Sequence, residues 1–213
     1  MKRWISPDRT WPAGVASWQV YVLPDLDVDD ELGELLDAYA EVVRDPSWAC
    51  LSPAALADLH MTVQPLAGWA HECTKADLTA VREALTARLA GLAPIPVTAG
   101  PALAGSSGVL LDLVDARDRW VSSLDGLWRQ VQAGITDALG VQALGRSGWP
   151  PHLTLAYASA ERDSGDIQSA LRRVRPGRAP WEIRAVHLCR VHQDAEHDRY
   201  GWDQQLTIPL TGG

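Results

Sequence analysis

The sequence has 213 residues, of which 46% are hydrophobic, and its formal net charge is −8. The hydrophobic content predicts one sizeable folded domain, or two packed lobes, and argues against a disordered chain. The acidic balance argues against a broad surface for long duplex nucleic acid, because such a surface needs many basic side chains to neutralise phosphates.

The first half of the sequence alternates segments of strand and helix character. Runs of β-branched and aromatic residues that end at Pro or Gly indicate strands, and aliphatic residues that recur every three or four positions indicate helices. The stripe of the first helix consists of Leu32, Leu35, Leu36, Tyr39 and Val43. In chain order we predict strand 15–23, helix 29–44, strand 59–66, helix 74–91, and strands 95–98 and 109–114.

The second half has a similar order of elements. Its longest helical pattern covers residues 119–139, includes Trp120 and Trp128 in the apolar stripe, and ends before Gly140. The remaining predicted elements are strand 151–157, helix 166–174, and strands 183–191 and 205–210. This coarse internal duplication, without a sharp linker between the halves, predicts a single two-lobed domain over residues 1–213.

One short pattern, His-x-Thr followed by an aliphatic residue, occurs once in each half, at residues 60–63 and 152–155. On a strand, the His and Thr of each copy share one face, about 6.7 Å apart, while the aliphatic residues occupy the other face. Two such strands would supply two proton-transfer groups and two hydroxyl donors to one phosphate. We therefore predict the catalytic residues His60, Thr62, His152 and Thr154.

Histidine suits this chemistry because its ordinary pKa near 6.5 allows both the acid and the base form near neutral pH. The threonine hydroxyls can donate to phosphate oxygens whose charge grows in the transition state. Taken singly, each His can equally be a semi-buried structural residue and each Thr a strand former. The argument rests on the two copies together, and it does not assign which His is the acid.

The paired motifs are similar to those of the 2H phosphoesterase superfamily, which includes bacterial RNA 2′,3′-cyclic phosphodiesterases of the 2′-5′ RNA ligase type. The resemblance covers residues 59–66 and 151–157, and more loosely 187–210. It implies an α+β, two-lobed, duplicated LigT-like fold, in which mainly antiparallel sheets face a central cleft and helices pack outside. It also implies a metal-independent phosphodiesterase for 2′,3′-cyclic phosphates or 2′-5′ linkages, which could run in reverse as an RNA ligase, with no cofactor and no metal site.

Four further residues are candidates for substrate binding: Trp149, Tyr157, Arg190 and Arg199. The indole could stack on a base and an arginine fork could bind a phosphate, although packing and a solvated hairpin explain these residues equally well. Tyr157 stands near the place where the ligase-like branch of the superfamily often has an arginine. In a regular strand Tyr157 would lie on the face opposite His152.

The expected partner is an RNA end, a short oligonucleotide or a nucleotide. No membrane partner is expected, because no apolar run is long enough to span a bilayer. Three widely spaced cysteines, with no C-x-x-C pair, indicate reduced thiols in a cytoplasmic protein, and we expect a monomer. Two alternatives remain open: a catalytically silent nucleotide- or RNA-binding module, and an enzyme for a specialised phosphorylated metabolite.

Overall fold

The computed structural model describes residues 1–146 and 150–212, which form two antiparallel sheets. The four-stranded sheet has the order β3-β1-β8-β9, and the five-stranded sheet has the order β2-β6-β5-β4-β7. The strands are β1 Ala16–Val22, β2 Leu51–Pro53, β3 Met61–Pro65, β4 Ile95–Ala104, β5 Gly108–Val114, β6 His152–Ala158, β7 Ala179–Ile183, β8 Ala185–Asp194 and β9 Arg199–Pro209. Each His-x-Thr motif therefore lies in a different sheet, as the predicted duplication requires.

In the part of the chain that the structure describes, four α-helices cover the outer faces of the two sheets. They are α1 Asp30–Val43, α2 Lys75–Leu89, α3 Ser122–Leu139 and α4 Gly165–Leu171. Helices α2 and α3 pack on each other and on β9 and β3 of the four-stranded sheet. Helices α1 and α4 pack on β7, β6 and β4 of the five-stranded sheet. The predicted α+β arrangement of two lobes, with helices outside, is confirmed.

The helices are held in place by the apolar stripes that the sequence predicts. All five stripe residues of α1 are buried. Helix α2 begins with a capping box, in which Thr74 and Asp77 exchange hydrogen bonds between side chain and backbone. Helix α3 ends at Gly140, whose positive φ of 86° favours glycine.

Two predicted elements are corrected, and one short strand was missed. The segment 183–191 is not one strand, because the chain changes sheets at Arg184, between β7 and β8. Helix α3 begins at Ser122 rather than 119, and Trp120 precedes it with half of its surface exposed instead of packing in the core. The short strand β2 was not predicted, since three residues show too little periodicity.

A β-bulge follows the threonine of each motif. In β3, Thr62 pairs with Tyr21 and Gln64 pairs with Val20, so the intervening Val63 is the extra residue. In β6, Thr154 and Ala156 pair with consecutive residues of β5, so Leu155 is the extra residue. A bulge inverts the alternation of the residues beyond it. The third residue after each threonine therefore turns to the same face as the threonine.

Among the described residues, no helix combines the length and apolar character needed to cross a membrane. Cys50, Cys73 and Cys189 are all free thiols, as the sequence predicts.

Candidate active site

All four predicted catalytic side chains line one cavity between the two sheets, with a volume of about 560 Å³. His60 immediately precedes β3 and Thr62 lies within it, whereas His152 and Thr154 both belong to β6. The volume lies within the range of small-molecule sites in proteins. The structure thus brings the two motifs together, although they are far apart in sequence.

The two histidines are held in the same way. Nδ1 of His60 lies 2.8 Å from the carbonyl oxygen of Asp58, and Nδ1 of His152 lies 2.9 Å from that of Pro150. Because a carbonyl can only accept, each Nδ1 carries the proton and donates it. The neutral form of each ring therefore keeps Nε2 as a free acceptor. In each half the accepting carbonyl lies two residues before the histidine.

The surroundings of the two rings differ. His60 is buried and stacks on Tyr21 with ring centroids 4.0 Å apart. Trp202 lies at nearly a right angle to the imidazole, with ring centroids 5.6 Å apart. His152 is only half-buried. Burial lowers the pKa of His60 to about 4; the charge of His152 adds to this effect and the hydrogen bond to Asp58 opposes it. His60 is thus kept neutral, with Nε2 able to accept a proton.

Each motif threonine interacts with a tyrosine. Thr62 adjoins Tyr21 and Thr154 adjoins Tyr157, and each threonine opposes the effect of burial on the pKa of its tyrosine. Burial is the larger effect and raises the pKa of both phenols, so both stay protonated and uncharged. Each threonine therefore lies at the cavity wall beside an uncharged phenol.

Tyr157 lies on the cavity wall, so the expectation that it faces away from His152 was wrong. The reason is the bulge at Leu155, which turns the residue three positions after Thr154 back to the cleft. The corresponding residue of the other motif, Pro65, also lines the cavity. The other predicted aromatic contact, Trp149, lies outside the described residues.

The structure does not bring Arg190 and Arg199 to the cavity. Arg190 pairs with Asp203 at 2.5 Å, on the face of β8 opposite the cleft. Arg199 pairs with Asp194 at 3.0 Å in the hairpin between β8 and β9. Both guanidinium groups are therefore engaged by carboxylates, which nothing in the spacing of the residues indicated.

Two other arginines, Arg9 and Arg146, line the cavity and were missed. Arg9 lies over the ring of Trp4, 4.8 Å from its centroid. Neither arginine pairs with a carboxylate in the part of the chain that the structure describes, and no described Asp or Glu lines the cavity. The cavity is therefore cationic inside an acidic protein. Only long-range contacts bring these two residues to the site, so no local sequence signal could have identified them.

Arg146 is positioned through the buried side chain of Gln64. Gln64 Nε2 donates to the carbonyl oxygens of Pro65 and Gly145 at 2.9 and 2.7 Å, and its Oε1 accepts from Trp128 and Gln132 at 3.2 and 3.0 Å. A Cβ at position 145 would lie 2.9 Å from the Pro65 oxygen, so only glycine fits there. These bonds place the residue after Gly145 beside the cavity.

Among the described residues, no group of three or more His, Cys, Asp or Glu side chains is arranged to hold a metal ion. The polar groups that converge on the cavity are imidazoles, hydroxyls, guanidinium groups and the amide of Gln19. These groups suit an anionic ligand, and phosphate in particular.

The fold and the cavity define a two-lobed α+β protein of the LigT-like class, in which each lobe contributes one His-x-Thr motif. The family model of the 2′-5′ RNA ligase superfamily matches residues 28–195, and the chain belongs to this superfamily. A search of curated protein sequences found no match.

Several solved structures share the fold of this chain. TT0787 of Thermus thermophilus is 18% identical, with a TM-score of 0.64, over 92% of this chain and 98% of that chain. LigT of E. coli complexed with NADP+ is 16% identical, with a TM-score of 0.63, over 92% and 99% of the two chains. LigT complexed with 3′-AMP is 15% identical, with a TM-score of 0.57, over 91% and 98%.

Proposed function

We propose that this chain is a metal-independent phosphodiesterase that acts on 2′,3′-cyclic phosphates or 2′-5′ linkages of RNA ends, short oligonucleotides or nucleotides. The observation that carries the proposal is the matched pair of imidazoles on one cavity. Each has Nδ1 tied to a backbone carbonyl, each is two residues from a threonine, and both belong to one chain. The site therefore needs no second subunit. E. coli LigT, which has the same fold, has been crystallised with 3′-AMP, which agrees with a nucleotide ligand.

The different burial of the two histidines supports one distribution of their roles in hydrolysis. His60, neutral at physiological pH, takes a proton from water through Nε2 as the water oxygen attacks phosphorus. The bond between phosphorus and one ribose oxygen breaks, and His152 delivers the proton from its Nε2 to that oxygen. This role falls to His152 because it is the less buried of the two rings and lies on the opposite wall of the cavity from His60. In the reverse, ligating direction the two roles exchange.

The threonines and arginines stabilise the charge that develops on the phosphoryl group. The hydroxyls of Thr62 and Thr154 donate to non-bridging oxygens from opposite walls of the cleft. Arg9 and Arg146 supply positive charge without an opposing carboxylate among the described cavity residues. Tyr157 lies beside Thr154 and contacts the substrate next to the reacting phosphate.

The test measures hydrolysis of adenosine 2′,3′-cyclic phosphate and of a 2′-5′-linked dinucleotide by purified protein. His60→Ala and His152→Ala should each lower kcat by about 10²–10⁴-fold, the usual contribution of one general acid or base. His71→Ala is the matched control, because His71 is exposed and lies outside the cavity. Circular dichroism should show the same fold in all variants, and EDTA should leave the wild-type rate unchanged.

Two results would reject the proposal. Turnover that persists when both histidines are replaced would show that the imidazoles are not the proton-transfer groups. Binding of the cyclic nucleotide by calorimetry, with no product after many hours, would instead indicate the binding module.

A further inference from the structure

Residues 1–14, which precede β1 and are called the strap here, connect the two lobes at one side of the cavity. The backbone of Trp4 donates to Ala158 of the five-stranded sheet at 2.8 Å. The backbone of Trp11 donates to the side chain of Gln193 in the four-stranded sheet at 2.7 Å, and Gln193 donates back to the Arg9 carbonyl at 3.0 Å. The strap is therefore fixed to both lobes and forms part of the cavity wall.

Two side chains of the strap join two tyrosines in a continuous set of ring contacts, called the aromatic wall here. Trp4 lies 6.0 Å from Tyr157, Tyr157 lies 5.7 Å from Tyr200, and Tyr200 lies 5.6 Å from Trp11, measured between ring centroids. All four rings line the cavity, and Trp4 and Trp11 are half-buried. One tyrosine comes from each lobe. The wall thus presents aromatic surface that neither lobe has without the strap.

The position of the wall relative to the catalytic groups suits one nucleotide. Tyr157 adjoins Thr154, and the rings of Trp4 and Tyr200 lie 6.0 and 5.7 Å from the Tyr157 ring. A phosphate at Thr154 and a base at Trp4 or Tyr200 are therefore separated by the Tyr157 ring, a span that a ribose can bridge. Arg9 lies over the Trp4 ring, so positive charge adjoins the same surface.

We propose that the strap completes a nucleobase subsite, in which the aromatic wall stacks on the base of the nucleotide that carries the reacting phosphate. The inference rests on the proposed function and specifies its substrate class: nucleoside phosphates, rather than sugar phosphates without a base. Every base has a π-face, so stacking alone makes the subsite tolerant of base identity. The aromatic wall is then the part of the site that separates nucleotides from other phosphorylated metabolites.

The experiment compares the binding of adenosine 3′-monophosphate with that of its base-free analogue, 1-O-methylribose 3-phosphate, by calorimetry. Trp4→Leu should lower the affinity for adenosine 3′-monophosphate by about 5- to 150-fold, which is the effect of losing one stacked base. The affinity for the base-free analogue should stay unchanged. Trp48→Leu is the matched control, because Trp48 also carries an arginine over its ring (Arg162, at 5.2 Å) but does not line the cavity. It should change neither affinity.

Trp11→Leu provides a second measurement where Trp4→Leu does not fold, and it should show the same selective loss. The proposed subsite would be contradicted if the strap variants lost affinity for both ligands equally, or if they bound both ligands as tightly as the wild type does. Failure of the wild-type protein to bind adenosine 3′-monophosphate more tightly than the base-free analogue would overturn it as well. These binding readouts are separate from turnover, so a wild-type protein that binds selectively but hydrolyses nothing would contradict the proposed function alone.

Discussion

The burial of His60 predicts an unusual pH dependence, which Trp202→Ala should change. Tyr21 stacks on the imidazole, and the Trp202 ring lies against it at nearly a right angle. Replacing Trp202 with Ala lets water reach the ring while the stack on Tyr21 and the hydrogen bond to Asp58 remain. The perturbation therefore changes the solvation of the proposed base without removing the base.

The size of the effect follows from the lowered pKa. A fall from 6.5 to about 4 corresponds to roughly 3 kcal/mol against the imidazolium form. If removal of one of the two covering rings recovers somewhat less than half of this, the pKa of His60 rises by about one unit. A general base must be unprotonated, so kcat/KM falls as pH drops through the pKa of the base. At pH 5 the wild type should keep about nine-tenths of its plateau value and the variant about half.

The assay is the pH profile of kcat/KM for adenosine 2′,3′-cyclic phosphate, measured for the wild type, Trp202→Ala and Trp120→Ala. Trp120 is half exposed and lies outside the cavity, so its replacement should leave the profile unchanged. A wild-type acid limb centred near 6.5 would refute the assignment of buried His60 as the base. A limb that stays near 4 in Trp202→Ala would refute burial by this ring as the cause.

Three further outcomes follow from single contacts. Thr154→Val, which removes one donor from the cavity wall, should lower kcat by roughly 10²-fold and leave the melting temperature nearly unchanged; an unchanged kcat would exclude charge stabilisation by the hydroxyl. Gln64→Leu should destabilise the fold by about 2–4 kcal/mol in urea unfolding, whereas the exposed Gln142→Leu should cost far less; equal effects would contradict the buried network. Because the folded pKa of His60 lies below its unfolded value, its contribution to stability is present above pH 6.5 and is lost as pH falls to about 4. The loss of stability from pH 7 to pH 4 should be about 3 kcal/mol smaller in His60→Gln than in the wild type, and an equal loss in both would contradict burial of a neutral imidazole.

The parts of the fold that depend on local periodicity could be predicted from the sequence. Helix α1 illustrates this, because its stripe at helical spacing is buried as expected, and the capping box at Thr74 marks the start of α2. The convergence of the two His-x-Thr motifs, which we propose to be catalytic, could be predicted for a related reason. Alternation on a strand places His and Thr on one face, and this arrangement depends only on residues two positions apart.

Tyr157 shows where such reasoning fails. Its orientation depends on an extra residue in β6 relative to β5, and a bulge depends on the register between two strands rather than on one of them. A bulge of the same kind follows Thr62 in β3. The alternation of side chains between the two faces of the strand is therefore regular up to each threonine and reversed beyond it. The face on which Tyr157 lies could not be predicted from its position in the sequence.

The positions of the arginines could not be predicted for a different reason. Arg190 and Arg199 lie within residues 187–210, the stretch with the looser resemblance, but each pairs with a carboxylate, of Asp203 and Asp194 respectively. Arg9 reaches the cavity because the strap crosses both lobes, and Arg146 does so because a buried glutamine holds the preceding glycine. Such placement depends on contacts between distant segments, which composition and spacing do not encode.

The contrast between the acidic chain and the cationic cavity has a consequence for ligand size. The sequence has 27 acidic and 19 basic residues, yet no described Asp or Glu lines the cavity. Exposed charges are screened beyond about 8 Å at physiological ionic strength, so a single phosphate in the cleft responds mainly to the local imidazoles and guanidinium groups. A longer polyanion must also pass over the acidic exterior. Added salt should therefore lower the affinity for a mononucleotide more than the affinity for an oligonucleotide. The gap between the two affinities should narrow as the salt concentration rises. A steeper loss of oligonucleotide affinity with salt would indicate a basic track outside the cleft and contradict this reasoning.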